Sequence, residues 1–535
     1  MATDLLIRGG MVFDGTGAPG HLADVAVDGG QISWMGIAGP PAARRTIDGS
    51  GLVVAPGFID IHTHSDMALL LDGRGQSKVS QGVTTDVTGN CGFSPFPINP
   101  EHLQLHLDLL AGIGDDALPV SWIDLEGYRQ LALERGIAMN IAPLVGHGAL
   151  RIAAMGVQTG AASAEQLATM QRLLGQMLDQ GAFGLSTGLT YVPSRYAPTS
   201  ELVSLCETLA ARQRIYATHA RDKDLHGDDH RYGPLNEALH LGRSTGARIQ
   251  YSHAAINTPS EWGTASAWTE RFDKAVDQGI DAAFDVYPYD ASSSALTQYL
   301  PAWVQEGGVA AMRERLSDAA TMERAEADLV QGWSANRIPW LWERVVLART
   351  DSLLGAREGQ NLQEAAAVLG KTPARLTLEL CRDGGNRVMV VLFYRTEADM
   401  RTFLCCKRAL VGSDGSAIAF EQGTRQPHPR NFGASVRVLG RFVRDLGDLD
   451  MATAIAKMTG RVAERLRMSD RGVLAVGRAA DIVVFNAEEV RDRGTYLAPC
   501  QKATGVLHVL VNGVPVLTDG ELTAARPGRV LRASA

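Results

Sequence analysis

The sequence predicts an α/β fold, a TIM-like (β/α)8 barrel, carrying a small β-sandwich domain built from both chain ends. Three observations predict it. The middle of the chain alternates apolar strand-like runs with helical patterns, and eight such runs can be counted. The first 56 residues and the last 70 or so share a different texture, short Val/Ile-rich strands punctuated by Gly, Asn and Asp. Polar residues of metal-binding type also recur where the central strands should end.

In chain order the eight runs are GFIDIHTH (57–64), GVTTDVTGNC (82–91), AMNIAPLVGH (138–147), AFGLSTGLTY (182–191), RIYATH (214–219), ARIQYSH (247–253), DAAFDVYPY (281–289) and ALVGSD (409–414). Helical stretches such as SAEQLATMQRLLGQMLDQG lie between most of them. The gap before the last run is too long for one crossover helix, so a small helical insertion, of the kind that often acts as a lid, is expected over about 296–392. The expected division is 1–56 and 466–535 for the β-sandwich, with 57–465 for the barrel.

Composition bounds the function. With 45% hydrophobic and 21% charged residues the chain reads as an ordinary globular enzyme. A net charge of −8, with no Lys/Arg block, argues against a nucleic-acid partner, since phosphate binding needs a basic footprint. Six cysteines without a CxxC pair suggest a reducing compartment. The opening MATDLLIRGG lacks a signal pattern and no apolar run reaches spanning length, so no membrane partner and a cytoplasmic location are expected.

In such barrels chemistry gathers at the C-terminal strand ends. There the chain places His62 and His64, two apart and so on one face of the first strand, then Cys91, His219, His253 and Asp414. Any one of these reads equally as a packed or turn residue. Together, five His/Cys positions and a carboxylate at strand ends predict a centre for zinc or a similar divalent ion. His147 in LVGHG reads as structural, and Ser186 in GLSTGL lacks the second glycine of a nucleophile elbow, so a serine hydrolase is rejected.

The stretches PGFIDIHTHSD, GVTTDVTGNCG, FGLSTGLTYVPSRY, YATHARD, YSH, DVYPYDASS and GSDG…HPR resemble the amidohydrolase superfamily and, more narrowly, the D-aminoacylase (N-acyl-D-amino-acid deacylase) family. The resemblance implies zinc-dependent hydrolysis of the amide of N-acyl-D-amino acids. Many superfamily members bridge two metals with a carboxylated lysine on the fourth strand. This chain has no lysine between Lys78 and Lys223, and Cys91 matches the cysteine that replaces the bridge in the D-aminoacylase branch.

The resemblance further implies a tight zinc on Cys91, His219 and His253, a second, weaker site on His62, His64 and Asp414, and Asp414 as general base and acid. Arg425, Tyr287 and Ser293 are expected to hold substrate, with Tyr191 and, more distantly, Tyr394 as further candidates. Two departures stand out: Ala254-Ala255 replaces a family His-Lys pair whose lysine helps bind substrate, and the run after His219, ARDKDLHGDDHRYG with Asp222, is unusually polar. Other readings are the same chemistry on a cyclic imide, dipeptide or xenobiotic amide, a thiol amidase using Cys91, and a metal-free scaffold. The last predicts broken ligand positions, and all six are intact.

Overall fold

The computed structural model describes residues 2–113, 118–221, 232–333 and 337–534; Asp222 and the polar run that follows it lie outside them. Eight parallel strands form the barrel: Phe58–Asp60, Val83–Thr88, Asn140–Pro143 continued by Val145–Gly146, Gly184–Gly188, Ile215–His219, Arg248–Tyr251, Ala282–Val286 and Ala409–Val411. Each falls inside one of the eight apolar runs. Below they are barrel strands 1 to 8.

Strands 1–3 and strands 3–8 form two parallel ladders that share the broken third strand. The ring closes just beyond the ends of strands 1 and 8. There Asp414 N donates to His62 O at 2.8 Å, His64 N donates to Gly415 O at 2.9 Å, and Thr63 pairs in parallel with Gly415. The seam therefore sets His62, His64 and Asp414 side by side.

A buried ion pair pins that seam from below. Lys78 Nζ lies 2.6 Å from Asp60 Oδ2 on strand 1 and also donates to Ser413 Oγ after strand 8. Asp60 Oδ1 accepts from Ser413 N at 2.8 Å, and the lysine and aspartate side chains are 0% and 3% exposed. Crossover helices start where the sequence caps them. Ser163 and Gln166 make a reciprocal capping box on helix Ala164–Asp179, and Asp124 accepts from Gly127 N at the head of Leu125–Arg135.

The two chain ends share one nine-stranded sheet, whose central strand Thr3–Val12 pairs with strands on both sides. One face encloses a core that includes Ile7, Val25, Val54, Ile482 and Leu510; the other, with Val53, Val483 and Val509, packs into the barrel's outer core. The last residues leave this sheet and run along barrel strand 3, where Leu531 N donates to Ile141 O.

The insertion is not purely helical. Besides helices such as Gly308–Ser317 and Pro373–Gly384, it contains a three-stranded antiparallel sheet of Ser292–Ala295, Val345–Arg349 and Met389–Leu392. It therefore starts before residue 296, and it has its own apolar core around Leu296, Leu347, Leu378 and Val390. Its strands are four or five residues long, and one is SSSA, so periodicity alone does not mark them. No described helix is long and apolar enough to cross a membrane.

Replacing Lys78 with Met leaves Asp60 as an unpaired buried carboxylate. We expect it to cost about 3–5 kcal/mol of stability, read as a lowered urea-unfolding midpoint. Adding Asp60→Asn should recover part of the loss.

Candidate metal centre

Strand ends deliver the donors, and turns aim them. Cys91 follows strand 2 in the turn Gly89-Asn90-Cys91-Gly92. Here both glycines have positive φ, and a Cβ on Gly89 would sit 2.2 Å from Leu144 O. Only glycine fits such an approach. Ser186 on strand 4 accepts from Gly92 N at 2.9 Å and donates to Gly89 O, so it braces the cysteine turn from across strand 3. Cys91, His253 and Asp414 themselves have φ of 54°, 37° and 53°. Three non-glycine residues in the left-handed region, at about 1–3 kcal/mol each, mark a place where side-chain aim overrides backbone preference.

Among the described residues, donor atoms of His62, Cys91, His253 and Asp414 all lie within 4.8 Å of one another. His62 Nε2 is 3.3 Å from Cys91 Sγ and 3.5 Å from Asp414 Oδ1, and Cys91 Sγ is 3.5 Å from His253 Nε2. A tetrahedral zinc with N, O and S ligands has ligand–ligand edges of about 3.3–3.6 Å. Three of the contacts already have that length.

The charges fit a cation as well. Burial alone would push the Cys91 thiol up, but the neighbouring His62, with His219 and His253, outweighs it and holds the thiol well below its ordinary value. Burial likewise opposes ionisation of Asp414, and Arg430 and His64 overcome it, holding the carboxyl well below the usual range. Two buried anions then call for positive charge. Although burial disfavours imidazolium, Asp285 and Cys91 hold His62 well above its ordinary value, and Asp414 and Cys91 lift His64 to about 9. A divalent ion supplies that charge in place of the protons. These residues fit zinc.

His219 and His64 stand at the edge of the cluster. The His219 ring packs edge-on against His253 at 4.5 Å between centroids, with Nε2 3.0 Å from Thr190 Oγ1 and Nδ1 3.5 Å from Tyr191 Oη. His64 Nε2 is 3.0 Å from Asp414 Oδ1, and its buried Nδ1 makes no hydrogen bond. The tightest grouping thus mixes the two sets that the resemblance implies, with the seam residues His62 and Asp414 alongside Cys91 and His253.

Two residues that contact the donors escaped the sequence reading. Asp285, in the middle of strand 7, accepts from His62 Nδ1 at 3.0 Å and from His253 N and Gln250 Nε2, both at 2.8 Å. It fixes the tautomer and aim of one donor and the backbone of another. The signal was a lone carboxylate inside AAFDV. Arg430, in the quoted HPR, sets Nη1 2.8 Å from Asp414 Oδ2. His147 binds Ser194 and Glu201 at 2.9 Å each, away from the donors, as its structural reading requires.

A cavity of about 540 Å3 opens over the cluster, lined among others by Tyr191, Tyr287, Ser293, Arg395, Arg425 and Arg430. The Arg395 and Arg430 guanidinium carbons lie 4.5 and 4.9 Å from the centroid of Tyr287. Ala255 also lines the cavity, whose cationic lining side chains include Arg395, Arg425 and Arg430. Tyr394 borders the cavity, but its hydroxyl accepts from Leu341 N and donates to Pro339 O inside the insertion, which makes it structural.

The chain is similar to known proteins along nearly its whole length. The amidohydrolase family pattern matches residues 45–337 and 410–517. An N-acyl-D-glutamate deacylase of Alcaligenes xylosoxydans xylosoxydans is 35% identical over 99% of this chain and 97% of its own. D-aminoacylase of the same organism is 34% identical over 99% and 98%. The crystal structure of N-acyl-D-glutamate deacylase from Bordetella bronchiseptica, in complex with zinc and a phosphonate inhibitor that mimics the tetrahedral intermediate, matches with a TM-score of 0.81 at 32% identity, covering all of both chains.

Asp285→Asn should weaken zinc binding by about 10–100-fold, measured by competition with a chromophoric chelator. An unchanged far-ultraviolet dichroism spectrum would show that the barrel is intact.

Proposed function

The chain belongs to the amidohydrolase family, and from that premise we propose that it is a zinc-dependent hydrolase that cleaves N-acyl-D-amino acids into a carboxylate and a free D-amino acid. The observation that carries the reading is the convergence of a thiolate, two imidazoles and a carboxylate at zinc spacing, three of which (Cys91, His253 and Asp414) line a cavity that arginines also line. His62, Cys91, His253 and Asp414 hold the ion, with His219 and His64 beside them.

A zinc ion held there supplies Lewis acidity, polarising the scissile carbonyl and acidifying the attacking water. The chain's own residues do the rest. Asp414, ionised against Arg430, accepts a proton from the water at its Oδ1 side. It then returns that proton to the amine nitrogen, a step amide cleavage requires because an amide anion is a poor leaving group. Arg425 and Arg395, together with Tyr287 and Ser293, hold the α-carboxylate, a task suited to the bidentate fork of arginine. Tyr191, packed against Phe93 and His219, forms part of the opposite wall.

One observation favours a second reading. Cys91, His62 and Asp285 form a chain of 3.3 and 3.0 Å contacts, the order of a thiol nucleophile, its base and an orienting acid. That relay has no use for His253 and Asp414 at the same sulfur. Chelation separates the two readings, since a thiol amidase keeps its activity without metal and the zinc enzyme loses it.

The direct test is release of free amino acid from matched N-acetyl-D and N-acetyl-L substrates by zinc-loaded protein. The expected result is turnover of D and not L compounds, abolished by chelator and restored by zinc. No turnover of either by folded, metal-loaded protein would sink the deacylase reading. Asp414→Asn should lower kcat by at least about 10²–10⁴-fold.

A further inference from the structure

A second cavity, of about 70 Å3, adjoins the one over the donors. Phe93, Gly112, Tyr191 and Gln298 line both, so the two spaces lie side by side with these residues between them. Gly112 puts no side chain at the junction, and a Cβ there would touch the Phe93 ring at 3.4 Å. Beyond it, Leu109, Ile152, Val309 and Met312 form an apolar wall.

Most polar side chains on the same wall are already engaged, while Gln298 Oε1, between the two cavities, has no hydrogen-bond partner among the described residues. Thr297 Oγ1 donates to Asn386 Oδ1 at 2.7 Å, Asn386 Nδ2 donates to Asp108 O at 2.9 Å, and Gln305 Nε2 donates to Leu300 O at 2.7 Å. The space suits a hydrocarbon and offers little to a charged group.

Its position selects the occupant. Phe93 follows strand 2, and Tyr191 and Val192 follow strand 4. Arg425 and Arg430 follow strand 8, and Arg395 rests on Tyr287 after strand 7. In a ring of eight, strand 4 stands across from strand 8. A substrate with its carboxylate on the arginine side and its scissile carbonyl at the donors must send its acyl carbon towards strands 2 to 4. Resting on the deacylase reading above, we infer that the second cavity is an acyl-tail subsite that selects straight medium-chain N-acyl groups over acetyl. At roughly 30 Å3 for each methylene-sized group, it holds about two to three of them.

The test is hydrolysis of N-acetyl-, N-butanoyl-, N-hexanoyl- and N-decanoyl-D-leucine, and of the matching D-glutamates, by the full-length zinc-loaded protein. Each methylene that enters the subsite should raise kcat/KM about fourfold, up to hexanoyl and no further. Val309→Phe and Leu109→Phe each fill the cavity from its apolar wall, and each should bring the hexanoyl-to-acetyl ratio down towards one. A ratio at or below one in the wild type, or one that neither variant moves, overturns the inference while acetyl turnover leaves the deacylase reading standing. If no acyl compound is cleaved, that reading fails separately, and calorimetric titration with hexanoate and acetate decides the subsite. Tighter hexanoate binding that Val309→Phe removes supports it, and equal binding overturns it.

Discussion

A sulfur anion inside a protein is tolerated only where positive charge surrounds it, and Cys91 is the group around which this site is arranged. Its side chain is almost wholly buried, and burial alone would keep it a neutral thiol. Imidazoles from strands 1, 5 and 6 reverse that preference. Each reaches the sulfur because the barrel brings those strand ends to one rim. The strain at Cys91, His253 and Asp414 has the same origin: three backbones leave their preferred conformations so that three donors meet.

The seam between strands 1 and 8 is the second support. Asp60, Lys78 and Ser413 lie below it, His62 and Asp414 above it, and the backbone bonds of Asp414 and His64 run through it. Stability and chemistry therefore share a small set of atoms. Arg430 extends the arrangement into the cavity, where one guanidinium both keeps Asp414 ionised and flanks Tyr287.

Much of this was legible in the sequence, for local reasons. Eight apolar runs mark eight strands because parallel barrel strands are buried on both faces and read as continuous apolar segments. His62 and His64 declare a shared face through their spacing of two. What stayed hidden depends on long-range pairing. Asp285 looks like one acid in an apolar run until strand 7 stands beside His62 and the loop that follows His253. Lys78 reads as a surface lysine of a short helix until strands 1 and 8 close over it. The insertion's sheet is invisible for the same reason: SSSA becomes a strand only because Met389–Leu392 pairs with it from nearly a hundred residues away. The expected grouping of Cys91 with His219 and His253 came from family resemblance; in the structure His219 lies beside Cys91 and also sets its Nε2 3.0 Å from Thr190 Oγ1, a contact no spacing announces.

Zinc K-edge X-ray absorption of the purified protein tests the central claim most directly, because it reads the ligand atoms themselves. A thiolate-anchored centre predicts one sulfur at about 2.3 Å alongside nitrogen and oxygen ligands at about 2.0–2.2 Å, with the sulfur shell lost in Cys91→Ser. A first shell of nitrogen and oxygen alone in the wild-type protein would contradict it, and would leave Cys91 a buried thiol beside the metal and not on it.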